Sequence, residues 1–322
     1  MRVDPSTIVS RPAVEPASAR LTAVIVTYKS TRTIGAALAS ARRCAEAGVM
    51  RTIVVDNASP DATRGILARE AAPFATVVHS HGNIGFGRGC NVGLALVETP
   101  FAVFFNPDAV MEPQAAKTIA DFMDATPRCA VAGPAIHRDD GAGCQHVGAL
   151  ARPSDIVGDA MGLYLSMKRR QPMTPGGAPF RTDWVSGAML VGRTEALRSL
   201  GGFDPRFFLY WEETDLCKRV LDAGHEIWAI PGAEVHHVGG VSAAEESKGR
   251  IKGCIPEHFY KSRQYYLRKH YGVLAATAAE LAEVVLMPLH EGARALLGKP
   301  AKPALDRLRA PILRTPAPVP DV

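Results

Sequence analysis

The sequence predicts an α/β fold whose central sheet is parallel and covered by helices on both faces. Two observations carry this prediction. Between residue 21 and about residue 125, short apolar runs alternate with longer helical patterns, which is the chain order of parallel βαβ units. Hydrophobic residues make up 47% of the 322 residues and charged residues 21%, so a large core is available and global disorder is excluded.

The elements of the first half follow one another closely. Residues 1–20 carry Pro, Ala and Ser without periodicity and are predicted to form a flexible tail. "LTAVIVTY" is predicted to be the first strand, and the helix after it ends at Gly48. Later strands are predicted in "RTIVVD", "TVVHS" and "FAVFF", and later helices in "DATRGILARE", "GFGRGCNVGLALVE" and "EPQAAKTIADFMDA".

Polar residues follow three of these apolar strands at the point where each strand ends. They are Thr27-Tyr28, Asp56-Asn57 and Asn106-Pro107-Asp108. One such exit is ordinary turn chemistry, because Asn, Pro and Asp all favour turns. In parallel sheets, however, the carboxyl ends of the strands meet at one rim, where ligands bind. Three converging exits therefore predict a binding crevice.

The second half of the chain differs in composition and pattern. Residues 141–182 are rich in Gly, Pro, Arg and Met, and are predicted to form loops with short helices. A helix is predicted to begin near Glu212, with acids in its first turn and Lys218 and Arg219 further on, as the helix dipole favours. From Lys248 to His270 there are seven Lys/Arg and one acid, and an apolar helical stretch follows.

Cysteine use and apolar run lengths predict the compartment. The six cysteines are scattered without a C-x-x-C pair, which indicates free thiols in a reducing environment. The N-terminus lacks a cationic stretch followed by an apolar run. No uninterrupted apolar run reaches the ~18 residues of a spanning helix. The sequence therefore predicts a cytoplasmic protein that does not span the membrane.

Eight segments together resemble the inverting family-2 glycosyltransferases of the GT-A fold, and especially their rhamnosyltransferase-like branch. In chain order they are "VIVTY", "VVDNASPD", "GNIGFGRGCNVG", "NPD", "VSGAML", "GGFDPRFFLYWEETDLCKR", "HHVGGVS" and "YKSRQYYLRKHYG". Each is weak alone, but eight in the family's order are specific. The resemblance implies a GT-A catalytic domain over 21–245, with a donor half (21–140) and an acceptor half (141–245). A helical extension (246–312) and a flexible tail (313–322) would follow.

The resemblance implies that the donor half binds a nucleotide-diphospho-sugar. The implied contacts are Thr27, Tyr28, Asp56, Asn57, Asn83, Gly85, Asn91, Asn106 and Asp108. Gly85 in this set allows the backbone to approach the ligand. The "GFGRG" run also resembles a dinucleotide fingerprint, but that motif follows the first strand and this run follows the third.

A divalent cation, Mg²⁺ or Mn²⁺, is implied by the same resemblance. The family has a D-x-D-like element whose first position is Asn106 here, so Asn106 is assigned to the ribose side and Asp108 to the metal. His237 matches a late histidine that completes the metal site. The alternative is a structural histidine, an interpretation that suits His236 better.

The resemblance also implies a general base in the second acid of an "E-D" pair. Here the pair is Glu212-Glu213, so Glu213 is the candidate and Asp215 its competitor. The alternative is that these acids only complement the helix dipole. The acceptor would contact Trp184, Gly187, Trp211 and Glu212, although aromatic residues are more often part of a core.

Other functions stay open at this point. A sugar nucleotidyltransferase would carry a glycine-rich loop after the first strand, and "VTYKSTRT" has no glycine. A non-catalytic sugar-nucleotide-binding relative would fit the departures at Asn106 and Glu213. Nucleic-acid binding is the weakest alternative, because the basic segment is short and matches no recognised module.

The acceptor is implied to be a glycan or polyprenyl-linked sugar, and the Asn-Pro-Asp variant resembles enzymes that use dTDP-L-rhamnose. The segment from Lys248 interleaves cations such as Arg263 with aromatic residues such as Tyr265. Such a surface is attracted to anionic headgroups, which predicts peripheral contact with the inner face of the cell membrane. The alternatives are packing on the main domain and packing on a second subunit in a homodimer.

Overall fold

The computed structural model describes residues 4–12, 15–138, 144–237 and 257–298. The strands are β1 Ile8–Ser10, β2 Leu21–Thr27, β3 Met50–Asp56, β4 Thr76–His79, β5 Phe101–Phe105, β6 Ala109–Met111, β7 Cys129–Arg138, β8 Val147–Gly148, β9 Arg170–Gln171, β10 Phe180–Thr182, β11 Met189–Arg193 and β12 Glu226–His237. The helices are α1 Ile34–Glu46, α2 Thr63–Ile66, α3 Phe86–Leu96, α4 Pro113–Ala125, α5 Pro153–Ala160, α6 Leu165–Lys168, α7 Thr194–Ser199, α8 Glu212–Asp222 and α9 Glu257–Leu296.

The main sheet has the strand order β1-β4-β3-β2-β5-β11-β7-β12-β10, with β6 paired to β12. Strands β4, β3, β2 and β5 are parallel, as predicted. The second half is mixed, because β11 runs antiparallel to both β5 and β7. The strand–helix alternation that predicted parallel strands ends before this half. An apolar run such as that of β11 carries no information on strand direction.

Alternation along β2 explains the two covered faces. Leu21 and Ile25 join the core under α1 and α4, while Val24 and Val26 join the core under α3 and α8. Helix α3 lies close to β2 because it presents glycine there. A Cβ added at Gly93 would stand 2.2 Å from Cγ1 of Val24. The packing of α3 brings its N-terminus to the rim formed by the ends of the parallel strands.

The N-terminal 20 residues, predicted to be a tail, contribute an edge strand. Ile8 and Ser10 pair antiparallel with Val78 and Val77 of β4. Periodicity could not reveal this strand because it is only three residues long.

Helix α9 bends at Gly272 (φ 84°) and packs on the acceptor half. Tyr265 and Tyr266 are buried in a core with Phe207 and Ile156. The predicted basic and aromatic surface is therefore wrong for these tyrosines and for Arg263, which is also buried. Lys248, Arg250 and Lys252 lie outside the described residues.

Candidate active site

The donor half of the site is the rim where β2, β3 and β4 end. Thr27, Asp56 and His79 are register partners across these strands. The Asp56 carboxylate accepts hydrogen bonds from Arg64 Nε (2.8 Å) and the backbone N–H of Ser59 (3.1 Å). Among the described residues, the buried hydroxyl of Thr27 has no hydrogen-bond partner. The rim thus holds one fixed carboxylate and one polar group that a ligand could engage.

A glycine turn closes the side of this rim. Gly85 has φ +87°, and a Cβ there would stand 2.5 Å from the carbonyl oxygen of Phe208, so only glycine fits. Asn57 Nδ2 donates to the carbonyl of Gly85 (3.0 Å), and the N–H of Gly85 donates to Asn83 Oδ1 (3.1 Å). The predicted residues of this segment do meet at one place.

Asn91 differs from those residues, because its side chain forms hydrogen bonds within the protein. Its Nδ2 donates to the carbonyl of Phe203 (2.7 Å), and its Oδ1 accepts the N–H of Phe203 (2.8 Å). This pairing fastens α3 to the loop before α8. Nucleotide contact by Asn91 stays a prediction.

The predicted metal ligands are brought together by strand pairing. His237 is the register partner of Ala109, so it stands beside Asp108. Asp108 Oδ1 lies 3.0 Å from His237 Nε2, and Asn106 Nδ2 lies 3.4 Å from the same nitrogen. Asp108 Oδ1 and His237 Nδ1 are buried without a hydrogen-bond partner in the described part of the chain. His236 points outward and stacks on His137.

These two side chains fit a hard divalent cation. Neighbouring ligands on an octahedral ion with bonds of roughly 2.1 Å lie about 3.0 Å apart, which matches the Asp108–His237 distance. The described residues contain no group of three or more His, Cys, Asp or Glu side chains that could hold a metal. Such a cation would therefore need oxygen ligands from water and from a bound phosphate, as Mg²⁺ sites usually do.

Two consecutive residues with positive φ precede helix α8. Tyr210 has φ 67° and Trp211 has φ 70°, a conformation that strains residues other than glycine. Such strain persists only where the surrounding structure enforces it, and it often marks functional sites.

Glu213 is half-buried on the wall of a cavity. The hydroxyl of Thr214 donates to Glu213 Oε1 (3.2 Å), and Trp184 Nε1 donates to that hydroxyl (3.0 Å). Burial raises the pKa of Glu213 above its ordinary value of 4.5. A carboxylate with a raised pKa is a better proton acceptor, so the geometry suits a general base.

Asp215 has the opposite surroundings. It is fully buried and contacts Arg219 Nε (2.8 Å), Lys269 Nζ (2.6 Å) and His270 Nε2 (2.8 Å). Burial alone would raise the pKa of Asp215, but the hydrogen bond from His270 and the charges of Arg219 and Lys269 outweigh it, and the pKa lies below its ordinary value. A carboxylate with a lowered pKa is a weak base, so these surroundings favour Glu213 over Asp215. A catalytic role of Asp215 stays a prediction.

Glu212 faces α3 and does not line the cavity. A Cβ at Gly87 would stand 3.4 Å from Cβ of Glu212. In the described part of the chain, Glu212 Oε2 has no hydrogen-bond partner. Burial and the neighbouring charge of Glu213 raise the pKa of Glu212 well above its ordinary value. The predicted acceptor contact of Glu212 stays a prediction.

The cavity in the acceptor half has a volume of about 860 Å³. Trp184, Trp211 and Glu213 line it, together with Tyr210, and their roles in acceptor binding and catalysis stay predictions. Gly187 is not part of its lining but lies behind Glu213, where an added Cβ would stand 3.4 Å from Cβ of that residue. The cavity is large enough for a sugar with part of its leaving or linking group.

The comparisons with known proteins bear on this geometry. A model of the family described as Glycosyl transferase family 2 matches residues 22–189, more than half of the chain. The chain belongs to this family. The N-acetylglucosaminyl-diphospho-decaprenol L-rhamnosyltransferase of Mycobacterium tuberculosis is 28% identical over 238 residues, which cover 67% of this chain and 75% of that protein. Rhamnosyltransferase WbbL of Escherichia coli K12 is 24% identical over 200 residues, 59% of this chain and 73% of that protein.

Solved structures support the fold. The mannosyltransferase PcManGT from Pyrobaculum calidifontis, in complex with GDP-Man and Mn²⁺, superposes with a TM-score of 0.53 at 17% identity, covering 94% of this chain and 81% of that one. The predicted GT-A fold is confirmed, and the protein is a glycosyltransferase.

Sequence reasoning missed several cavity residues of this family-2 glycosyltransferase. Arg169 and Arg170 line the cavity, with His146 beside them. Arg169 is held by an ion pair with the buried Asp155. The only signal in the sequence was the basic run "KRR" within a segment interpreted as loop. No apolar periodicity surrounds this run, so its position facing the cavity could not be predicted.

Proposed function

We propose that this glycosyltransferase moves L-rhamnose from a nucleotide-diphosphate donor to a hydroxyl of a diphospho-lipid-linked sugar, with inversion, in cell-surface polysaccharide synthesis. The two rhamnosyltransferase relatives support the donor sugar, and the decaprenol-linked substrate in the name of one of them supports the acceptor. The observation that carries the proposal is the position of Glu213. It lies on the cavity wall against Gly187. The next residue, Ala188, accepts a hydrogen bond from the N–H of Asn106 (3.1 Å), so Glu213 lies close to the donor rim.

On the donor side, the rim residues hold the nucleotide. Asp56 and Thr27 contact the nucleoside, and the turn at Gly85 lets the backbone lie against it. Asp108 and His237 would hold a divalent cation, Mg²⁺ or Mn²⁺. When bound, such a cation neutralises the negative charge that grows on the departing diphosphate. The manganese bound to PcManGT supports this assignment.

On the acceptor side, Glu213 removes the proton of the attacking hydroxyl. The hydroxyl oxygen forms a bond to the anomeric carbon on the face opposite the diphosphate, the sugar–phosphate bond breaks, and the proton passes to Glu213. Attack from the opposite face inverts the anomeric centre. Thr214 orients the carboxylate through its hydrogen bond, while Trp184 and Trp211 provide flat apolar surfaces for the acceptor sugar.

A donor and acceptor panel tests this function. Purified protein is incubated with dTDP-L-rhamnose or another nucleotide-sugar, and with an N-acetylglucosamine diphosphate carrying a short lipid chain. We expect nucleotide release and glycosylated product with dTDP-L-rhamnose and Mg²⁺ or Mn²⁺, and an inverted anomeric configuration by NMR. Faster transfer from a different nucleotide-sugar would refute the donor assignment. Transfer only to a free glycan would refute the lipid-linked acceptor.

A lipid-linked acceptor also implies a place in the cell. Nucleotide-sugars and polyprenyl diphosphates meet at the inner face of the cell membrane. The protein would therefore work in the cytoplasm at that surface.

A further inference from the structure

The second half of α9, residues 273–296, carries apolar residues on the side that faces away from the protein. Its exposed side forms one apolar stripe at spacings of three and four residues. The stripe consists of Leu274, Ala278, Leu281, Val285, Leu289, Gly292 and Leu296. The five large side chains of this stripe are between 48% and 91% exposed. A helix that faces water normally presents charged residues on that side.

The charged residues of the same segment point towards the protein. Glu280 is fully buried and contacts Arg263 Nη2 at 3.0 Å, and Glu283 also pairs with Arg263. Arg263 is itself buried on the first half of α9. Glu291 lies 3.7 Å from Arg294, and both side chains are mostly covered. The sequence places its charges inside and its leucines outside, which indicates an apolar environment beyond the exposed stripe.

A second element extends the stripe into a broader surface. The turn between α5 and α6, together with α6 itself, exposes Met161, Leu163, Tyr164 and Met167, which are between 44% and 55% exposed. This turn lies against α9, because a Cβ at Gly162 would stand 2.2 Å from the ring of His290. We call the α9 stripe and these four residues the outer apolar surface. Exposed apolar areas spread over two elements mark interaction sites.

The outer apolar surface is continuous with the active-site cavity. The segment 153–171 carries the four exposed apolar residues, and it also supplies Asp155, Ser166, Arg169 and Arg170 to the cavity lining. Lys168 and Arg170 are exposed between the two. A basic boundary between an apolar surface and a polar cavity matches the order of layers at a lipid headgroup region.

We propose that the outer apolar surface docks on an anionic lipid bilayer and so places the cavity at the headgroup level. The inference rests on the proposed lipid-linked acceptor. Its long apolar chain stays in the bilayer, because each buried methylene favours that environment. The enzyme must therefore reach the diphospho-sugar at the membrane surface. Lys168 and Arg170 then face lipid phosphates, and the acceptor diphosphate approaches Arg169.

The geometry favours a helix lying in the interface. In the described part of the chain, the helix His258–Leu296 is long and apolar enough to cross a membrane by length and composition alone. Only 17% of its most apolar window is buried inside the protein. The ion pairs of Glu280 and Glu283 with Arg263, however, hold the second half of this helix against its first half. Ala276 packs in one core with Ile156 and Phe207, so one side of the helix is attached to the acceptor half. A helix attached along one side can insert only the other side, as interfacial helices do.

Vesicle sedimentation tests the proposal directly. The full-length protein is mixed with phosphatidylglycerol or phosphatidylcholine vesicles. The test variants are Leu281→Ser/Val285→Ser/Leu289→Ser on α9 and Leu163→Ser/Met167→Ser on the turn. The matched control is Val9→Ser, because Val9 is 54% exposed on the edge strand β1, similar to Val285 at 58%. All replaced side chains are exposed, so melting temperatures should not change.

We expect the wild type and Val9→Ser to sediment with anionic vesicles, and both test variants to lose binding by at least roughly tenfold. No binding by the wild type, or unchanged binding by the α9 triple variant, would overturn the proposal. A wild-type dimer by light scattering that becomes a monomer in the triple variant, without vesicle binding by either, would assign this surface to a second copy of the chain.

Activity separates this proposal from the proposed function. The triple variant should keep wild-type activity on a soluble short-chain acceptor and lose at least roughly tenfold on a long-chain acceptor embedded in vesicles. Equal losses on both acceptors would contradict a docking role. If the wild type glycosylates neither acceptor, the proposed function fails, while the sedimentation result still decides the docking surface.

Discussion

Glu213→Gln and Asp215→Asn should damage the protein in different ways. Glutamine keeps the size of Glu213 and its contact with Thr214 but cannot accept the acceptor proton. Loss of a general base costs ~10²–10⁴-fold in kcat, which is about 3–5 kcal/mol of transition-state stabilisation. Donor binding should stay close to wild type, because Glu213 faces the acceptor cavity. The melting temperature should not fall, because burial makes the Glu213 carboxylate costly to ionise.

Asp215→Asn should act on stability instead. Asp215 is 0% exposed and faces Arg219, Lys269 and His270 within 2.8 Å. Removing its charge deprives Arg219 of its carboxylate, while Lys269 keeps Asp204. Breaking a buried ion pair on one side costs up to about 3–5 kcal/mol of folding free energy. We expect a melting temperature lower by several degrees. The activity that remains at low temperature should exceed that of Glu213→Gln.

The two effects are separated by measuring nucleotide release and thermal melting on the same preparations. Asp222→Asn is the matched control, since Asp222 lies on the same helix, pairs with Lys218 and is 54% exposed. It should match the wild type in both assays. Near-wild-type activity of Glu213→Gln, together with an inactive but normally melting Asp215→Asn, would refute the assignment and make Asp215 the base.

Three further predictions concern the metal, the glycine turn and pH. Asp108→Ala should abolish most activity with little change in melting, and a wild-type rate that EDTA leaves unchanged would show that no divalent cation is needed. Gly85→Ala should lower the free energy of unfolding by roughly 1–3 kcal/mol, whereas Gly82→Ala, with nothing within 4 Å of its added Cβ, should not; equal melting of the two would contradict the steric argument. Because burial raises the pKa of Glu213 above 4.5, activity should fall on acidification through a pKa above that value. The pKa of Asp215 lies below 3.8, so its charge stabilises the fold above pH 3.8, and this contribution is lost only as the pH falls further. A pH series of kcat/KM and melting should therefore show activity lost before stability, and simultaneous loss would contradict the two assignments.

Local pattern was sufficient for the donor half. Apolar runs followed by turn residues predicted that Thr27, Asp56 and Asn106 lie at one rim, since parallel strands end at one side of a sheet. The approach of His237 to Asp108 depends on the pairing of β6 with β12, which no local pattern encodes. Only the family resemblance predicted that pair.

The two candidate bases could be distinguished only in three dimensions. Residues two apart on an α-helix are rotated by about 200° around the helix axis, so their side chains point to nearly opposite sides. Glu213 therefore faces the cavity while Asp215 faces α9. Helical spacing predicts that the two side chains point to different sides of α8, but it does not predict which side faces the cavity. The burial of Arg263 could not be predicted for a related reason. Its partners, Glu280 and Glu283, follow the bend at Gly272 and reach Arg263 only because α9 folds back at that bend.

The ion pairs of α9 have a consequence for how the protein can be divided. Asp204 and Asp215 belong to the acceptor half, but they share one cation, Lys269, that arrives with α9. A chain ending near residue 245 would retain both carboxylates and lose that cation. Its acceptor half would then fold poorly even though every strand of the main sheet is present. Chimaeras between relatives would need to exchange α8 and α9 as one piece, because a boundary between them would separate the carboxylates from the cation that pairs with them.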